Sequence, residues 1–142
     1  MYLTTETQNI CRLLGESERL YDTRILQAYP FEYQPTKPRH AVICVSPDGA
    51  DYNACSLGQS GFQGSYRIAL DFFVPQRFGS PVTQDILEDA LCAVRDTGVS
   101  RIQTGKIQSD NELGCFTVSC ILTYPSVLYL TEEKLWTPTR EQ

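Results

Sequence analysis

The chain has 142 residues, of which 42% are hydrophobic and 20% are charged, and its formal net charge at pH 7 is −5. These values are typical of one globular domain and exclude the intrinsically disordered class. The acidic balance argues against DNA or anionic lipid as a binding partner, because such binding requires clustered Lys and Arg.

No apolar run approaches the ~20 residues that span a membrane, and the N-terminal segment lacks the basic and apolar parts of a signal peptide. We therefore expect a soluble protein that stays in the cell that makes it. The six cysteines show no C-x-x-C spacing, so we expect free thiols that mostly fill the core. They are Cys11, Cys44, Cys55, Cys92, Cys115 and Cys120.

The N-terminal half predicts one helix, two strands and a long loop. Thr5 and Gln8 form a capping box for a helix from about Glu6 to Arg19. An edge or bent strand is expected from Arg24 to Tyr33, because it contains Pro30, and a short strand is expected from Ala41 to Val45. Residues 47–64 contain four glycines and little periodicity, which predicts a loop of the kind that is commonly functional or mobile.

The second half predicts one helix between clear strands. Apolar residues alternate from Tyr66 to Val74, as in a strand with one buried face. Ser80 and Pro81 begin a helix that Gly98 ends. Its expected apolar stripe is Val82, Ile86, Ala90, Ala93 and Val94. Two further strands, 101–108 and 115–124, are joined by a hairpin turn.

The element order α-β-β-β-α-β-β predicts an α+β fold. We expect a mostly antiparallel sheet of four to five strands with both helices packed on one face. Residues 1–124 form the expected domain, and residues 125–142 form a C-terminal extension packed on the domain or on a neighbour. The extension contains Trp136 and is too apolar for a freely solvated end.

The sequence gives little support for catalysis. His40 is the only histidine, and no nucleophile motif such as G-x-S-x-G accompanies it. Cys115 and Cys120 differ by five positions in a strand, so they face opposite sides of the sheet and cannot bind one zinc ion together. We therefore expect no enzyme, no cofactor and no metal.

Two further segments resemble functional motifs but are better explained without a function. Asp85, Glu88 and Asp89 share one side of the second helix, opposite its apolar stripe, which is typical of a solvated face. The glycine-rich segment 58–64 lacks a P-loop Lys and lies between strands, so phosphate binding is not indicated.

The remaining candidate residues indicate contact with a partner protein. Tyr52, Leu57 and Phe62 would be exposed in the long loop unless they fold back on the domain or dock on a partner, where aromatic anchors contribute strongly. Cys92 lies on the polar side of the second helix, where a residue of a type that is usually buried can mark a subunit contact. Trp136 of the extension completes this set.

With these elements in order, the chain resembles the tail terminator family of bacteriophages, including minor tail proteins of prophages. The likeness rests on the N-terminal helix followed by Phe31-Glu-Tyr-Gln-Pro35 and on the Pro-led strand 37–45. It also rests on the strand 66–75 that leads into a helix through Gln76-Arg-Phe-Gly-Ser-Pro81, and on the stretch 98–105. The hairpin 110–116 is its most specific part, and the match covers about residues 3–124.

The resemblance implies a structural subunit of a homo-oligomeric ring, expected to be a hexamer. Such a ring ends the tail tube, contacts the tube protein and the head-completion protein, and lets DNA pass through without specific binding. The expected location is the virion tail, and the host cytoplasm during assembly, with no membrane association. A head–tail connector or stopper subunit, or a monomeric protein-binding module on the same scaffold, remains an alternative.

Overall fold

A computed structural model describes residues 2–30, 38–54, 61–130 and 136–139. Within these ranges the chain forms two helices and seven strands. The helices are α1 (Tyr2–Glu16) and α2 (Ser80–Val94), and short 3-10 turns span Glu18–Leu20 and Gln76–Phe78. The strands are β1 (Thr23–Leu26), β2 (Ala41–Ala54), β3 (Gly61–Pro75), β4 (Arg101–Thr104), β5 (Gln108–Asp110), β6 (Cys115–Leu130) and β7 (Trp136–Thr139).

All seven strands belong to one sheet with the order β1-β2-β3-β6-β4, and β5 and β7 also pair with β6. Every pairing is antiparallel except that of β1 with β2. The predicted strand 101–108 appears as β4 followed by β5. The predicted α+β class, with a mostly antiparallel sheet and both helices on one face, is confirmed.

The core lies between the helices and one face of the sheet, which we call the helix-side face. Alternate residues of β3 point to it, and the pairs Ile68↔Leu122 and Phe72↔Val118 continue this face into β6. These side chains are at most 3% exposed. Tyr66 and Tyr124 stack at one end of the core with ring centroids 5.2 Å apart. The alternation in the sequence therefore predicted the buried face correctly.

The buried row of helix α2 shares Ala90 and Val94 with the expected stripe but differs from it in the first two turns. Its buried residues are Thr83, Leu87, Ala90 and Val94, whereas Val82 is exposed. Burial of Thr83 is possible because its hydroxyl donates to the Gly79 carbonyl at 3.1 Å, so that no polar group loses its partner. The helix also ends before Gly98, which follows it in a left-handed turn.

The first helix begins earlier than predicted. Thr5 and Gln8 lie inside α1, which starts at Tyr2, so the predicted capping box does not cap the helix. The helix ends at Glu16, and the 3-10 turn that follows buries Leu20 against the core. Of the predicted strand 24–33, the structure gives only β1, and residues 31–37 lie outside the described residues.

The predicted loop 47–64 is wrong, because most of it is a β-hairpin. Strand β2 continues to Ala54 and β3 begins at Gly61, with Ala50 opposite Tyr66 and Ala54 opposite Phe62. A bulge between Pro47 and Ala50 absorbs the Pro-Asp-Gly sequence, and Gly49 adopts a φ of 92° there. Such a bulge accommodates an extra residue without ending the strand.

The last long strand also exceeds its predicted end. Strand β6 runs without a break past Tyr124 to Leu130, and β7 pairs with its final residues. Position 124 is therefore inside a strand. The separate packing of residues 125–142 as an extension stays a prediction.

Candidate partner surfaces

Strands β2, β3 and β6 are much longer than the helices that cover them. They contain 14, 15 and 16 residues and each helix contains 15, but a residue in a strand extends the chain about twice as far as a residue in a helix. At about 3.3 Å per strand residue and 1.5 Å per helix residue, the strands extend about 50 Å and each helix only about 22 Å. One end of the sheet therefore projects beyond the core. We call this end the arm: residues 50–54, 61–65, 125–130 and 136–139.

The arm depends on a close approach of two strands at Gly64. A Cβ added at this glycine would lie 1.9 Å from the Asp51 carbonyl oxygen, which is a backbone atom. Gly64 lies directly opposite Tyr52 in the register. Glycine is thus required here because any side chain would force the strands apart.

Arg67 connects the bulge to the arm. Its guanidinium donates to the Asp51 carboxylate at 2.5 Å, and its Nε lies 3.6 Å from Asp48. Asp48 belongs to the bulge, and Asp51 is in the first part of the arm. The ion pairs therefore fix the direction in which the arm leaves the core, on the face opposite the helices.

The structure brings two of the predicted contact residues together. Tyr52 lies opposite Gly64, and Phe62 lies opposite Ala54 and Leu128, so both side chains belong to the helix-side face, beyond the helices. Each is partly exposed. Sequence analysis placed these residues in a loop, whereas they lie in paired strands. Their contact with a partner stays a prediction.

The other predicted contact residues are in different places. Leu57 lies outside the described residues. Trp136 is the first residue of β7, opposite Leu130, and its side chain is also outside what the structure describes. Cys92 is exposed on α2, away from the arm.

Cys92 lines a shallow groove between the end of α1 and the end of α2. The groove has a volume of about 580 Å³ and is lined mainly by charged residues, with Leu13 and Ala93. Arg19 crosses it to reach Asp89 at 3.5 Å. This groove is a second surface of the molecule, and none of its lining residues belongs to the arm.

The surroundings of two thiols raise their pKa. Burial raises the pKa of Cys11 and of Cys120 to about 11, so both stay protonated at neutral pH. Among the described cysteines, Cys92 alone is exposed. Cys120 belongs to the core cluster, as expected of a thiol that fills space.

A charged residue also occupies the sheet face opposite the helices. Asp71 is partly buried in β3 and accepts a hydrogen bond from Ser119 at 2.6 Å. Burial raises the pKa of Asp71, the Ser119 hydrogen bond lowers it, and nearby Asp48 raises it. Our sequence reasoning missed Asp71 and Arg67. Both occupy polar positions of the alternation, on the side that the pattern assigns to solvent, so the pattern itself gave no sign of their ion pair and hydrogen bond.

The titratable residues considered from the sequence form surface pairs. His40 Nδ1 lies 3.2 Å from the Asp22 carboxylate, and both side chains are exposed. Glu88 accepts a hydrogen bond from Gln84 one helical turn away. No group of three or more His, Cys, Asp or Glu placed to hold a metal ion occurs among the described residues.

Four large hydrophobic side chains are exposed in the described part of the chain: Tyr21, Tyr29, Val82 and Ile102. Tyr21, at 89% exposure, precedes β1, and Ile102 belongs to β4. These two strands end the sheet order on its two sides. Sequence reasoning missed both, because a single apolar residue in a turn or in a four-residue strand forms no periodic pattern.

Neither helix in the described ranges is both long and apolar enough to cross a membrane. In comparisons with known proteins, no family model matches the chain and no curated protein matches its sequence.

Proposed function

We propose that this chain is a structural subunit of a phage or phage-tail-like particle. As a tail terminator it assembles into a ring, ends the tail tube and joins the tube to the head-completion protein. It acts by assembly and not by catalysis. The proposal takes its starting point from the resemblance in element order, and the α+β class expected from that element order is the class of the fold.

The observation that carries the proposal is the arm. A strand in a globular protein typically has 5–6 residues, so strands of 14 to 16 residues that project beyond their own core are unusual. A projecting sheet with partly exposed Tyr52 and Phe62 on one face offers paired backbone and aromatic anchors to a neighbour. This arrangement fits a subunit that grips the next subunit or the tube.

The test is to image particles from a phage or prophage that lacks this chain. A terminator is needed to stop tube growth, so we expect tubes of uncontrolled length that are not joined to heads. Tubes of normal length with unjoined heads would instead identify a connector or stopper. Normal particles would overturn a structural role.

A variant of the arm links this phenotype to the proposed surface. The double substitution Tyr52→Ser and Phe62→Ser should leave the core intact and reproduce the defect of the deletion. Val82→Ser removes an exposed apolar residue from α2 and serves as the matched control. Normal tails with the double variant would show that the arm face is not a contact.

A further inference from the structure

The two lateral edges of the sheet, formed by β1 and β4, are open in the described part of the chain. Beyond β2, no described main-chain group hydrogen-bonds to β1. All four residues of β4 are exposed, and the main-chain bonds that flank it, from Ser100 and Gly105, go inward to β6. An edge strand presents unpaired N–H and C=O groups, which form a template for another strand.

The directions of these edge strands are opposite. Strand β1 runs parallel to β2, and each later step, from β2 to β3, β6 and β4, reverses direction. When copies of the chain are related by rotation about an axis along the strands, β4 of one copy meets β1 of the next in antiparallel orientation. Contact between two different edges is heterologous, and it closes into a ring when the rotation allows.

The lengths of β1 and β4, and the sheet faces on which their side chains lie, fit the same pairing. Each edge strand has 4 residues, and full overlap places Thr23 opposite Thr104 and Ile25 opposite Ile102. Ile25 pairs with Ile43, and Ile102 pairs with Leu122, so both isoleucines belong to the helix-side face. Ile102, now 39% exposed, would be covered by the neighbour's Ile25, which already packs against its own core.

A slip of one residue would destroy this match. It would place Ile102 opposite a residue of the other face, so the register is specified by the apolar pair. Asp22 precedes β1 and Lys106 follows β4, which brings opposite charges together at one end of the overlap. Across the boundary, Arg24 and Arg101 are diagonal neighbours on the face opposite the helices. Both are exposed, so salt screens the repulsion between them.

We propose that β1 of one subunit pairs antiparallel with β4 of the next, so that one sheet continues across the subunit boundaries of the ring. This inference rests on the proposed function for the ring itself, and the occupant of each edge is a second copy of this chain. A pairing of four residues is small and weak alone. Ring closure, in which every subunit uses both edges, supplies the missing stability.

Cysteine cross-linking tests the pairing. In a background with Cys55→Ser and Cys92→Ser, the substitutions Thr23→Cys and Thr104→Cys place two thiols directly opposite each other across the boundary. Their Cβ atoms would be about 4.5–5.5 Å apart, close enough for a disulfide after small adjustment. On oxidation we expect a ladder of covalent oligomers that ends at the ring. Mixing the two single variants should give dimers only.

The matched control is Thr23→Cys with Gln103→Cys, in which the side chains point to opposite faces and cannot form a disulfide. A ladder of equal intensity from this control would overturn the pairing. Ile102→Asp should reduce the cross-linked fraction about tenfold or more, because a charge would enter the apolar contact. Gln103→Asp should not reduce it.

Oxidation of assembled particles separates this inference from the proposed function. Particles that contain the double-cysteine chain in a ring but yield no covalent oligomers would refute the edge pairing alone. Cross-linking of a mutant edge to a different virion protein would identify that protein as the occupant and also refute it. A ladder in solution from a chain that is absent from particles would support the pairing and overturn the proposed function.

Discussion

The two ends of the same three strands differ in what holds them in place. Near the helices, β3 and β6 bury Leu70, Phe72 and Leu122 almost completely. In the arm, the same strands present partly exposed side chains, and the structure depends on backbone pairing, on Gly64 and on Arg67. The core end is specified by apolar burial, whereas the arm end is specified by local geometry.

This difference teaches that one strand can serve two roles along its length. Apolar burial strongly fixes register where one face is covered. The pairing of β3 with β6 carries that register into the arm without a shift, whereas the bulge between Pro47 and Ala50 resets the pairing of β2 with β3. The arm can therefore vary its surface without loss of the fold. Substitutions at the two ends should accordingly separate stability from assembly.

The largest expected effect is at the core end. Phe72→Ala should lower the free energy of unfolding by about 3–5 kcal/mol, because a fully buried ring leaves a cavity. Tyr52→Ala, at the arm end of the adjacent strand, should change it by only about 0.5 kcal/mol. Urea unfolding monitored by circular dichroism measures both, and equal losses would contradict the distinction between the two ends.

The next effect lies in the arm itself. Gly64→Ala should destabilise the chain by about 1–3 kcal/mol, because its methyl group would collide with the Asp51 carbonyl. Gly15→Ala is the control: it lies in α1 with no atom within 4 Å of its added Cβ. That change should stabilise by about 0.5–1 kcal/mol. Destabilisation by both substitutions, measured in thermal melts, would argue against the close approach.

The same distinction explains what could be predicted from sequence. Alternation from Tyr66 to Val74 predicted the buried strand because its period reflects one covered face. In the arm the alternation is limited to the short run Ala50–Ala54 of β2, and Pro47, Gly61 and Gly64 were interpreted as loop signals. Whether Gly64 marks a loop or a close strand approach depends on the partner strand, which a local pattern does not contain.

A smaller effect is expected at the junction between core and arm. Arg67→Gln removes the cation between Asp48 and Asp51 and should cost about 0.5–1 kcal/mol, with less at high salt. Arg12→Gln breaks an exposed pair with Glu16 and should cost at most about 0.5 kcal/mol. Unfolding at low and high salt compares them. A salt-independent loss at Arg67 would show that its stem, not its charge, matters.

The smallest expected effect depends on pH. Because the pKa of Asp71 is raised in the folded state, the folded chain holds this proton more tightly than the unfolded chain does. The contribution of the protonated group to stability is present below the ordinary aspartate pKa of about 4, and it is lost as pH rises through the raised value.

Asp71→Asn removes this titration and keeps an oxygen that can accept the hydrogen bond from Ser119. At pH 7 the variant should be more stable than the wild type by less than about 1 kcal/mol, since solvent screens a partly exposed group. Below about pH 4 this advantage should disappear, because the wild-type carboxyl is then neutral as well. Ser119→Ala removes the hydrogen bond that lowers the pKa, so it should steepen the loss of stability with rising pH. An advantage of Asp71→Asn that is the same at pH 7 and pH 4 would show that Asp71 acts through packing and not through its charge.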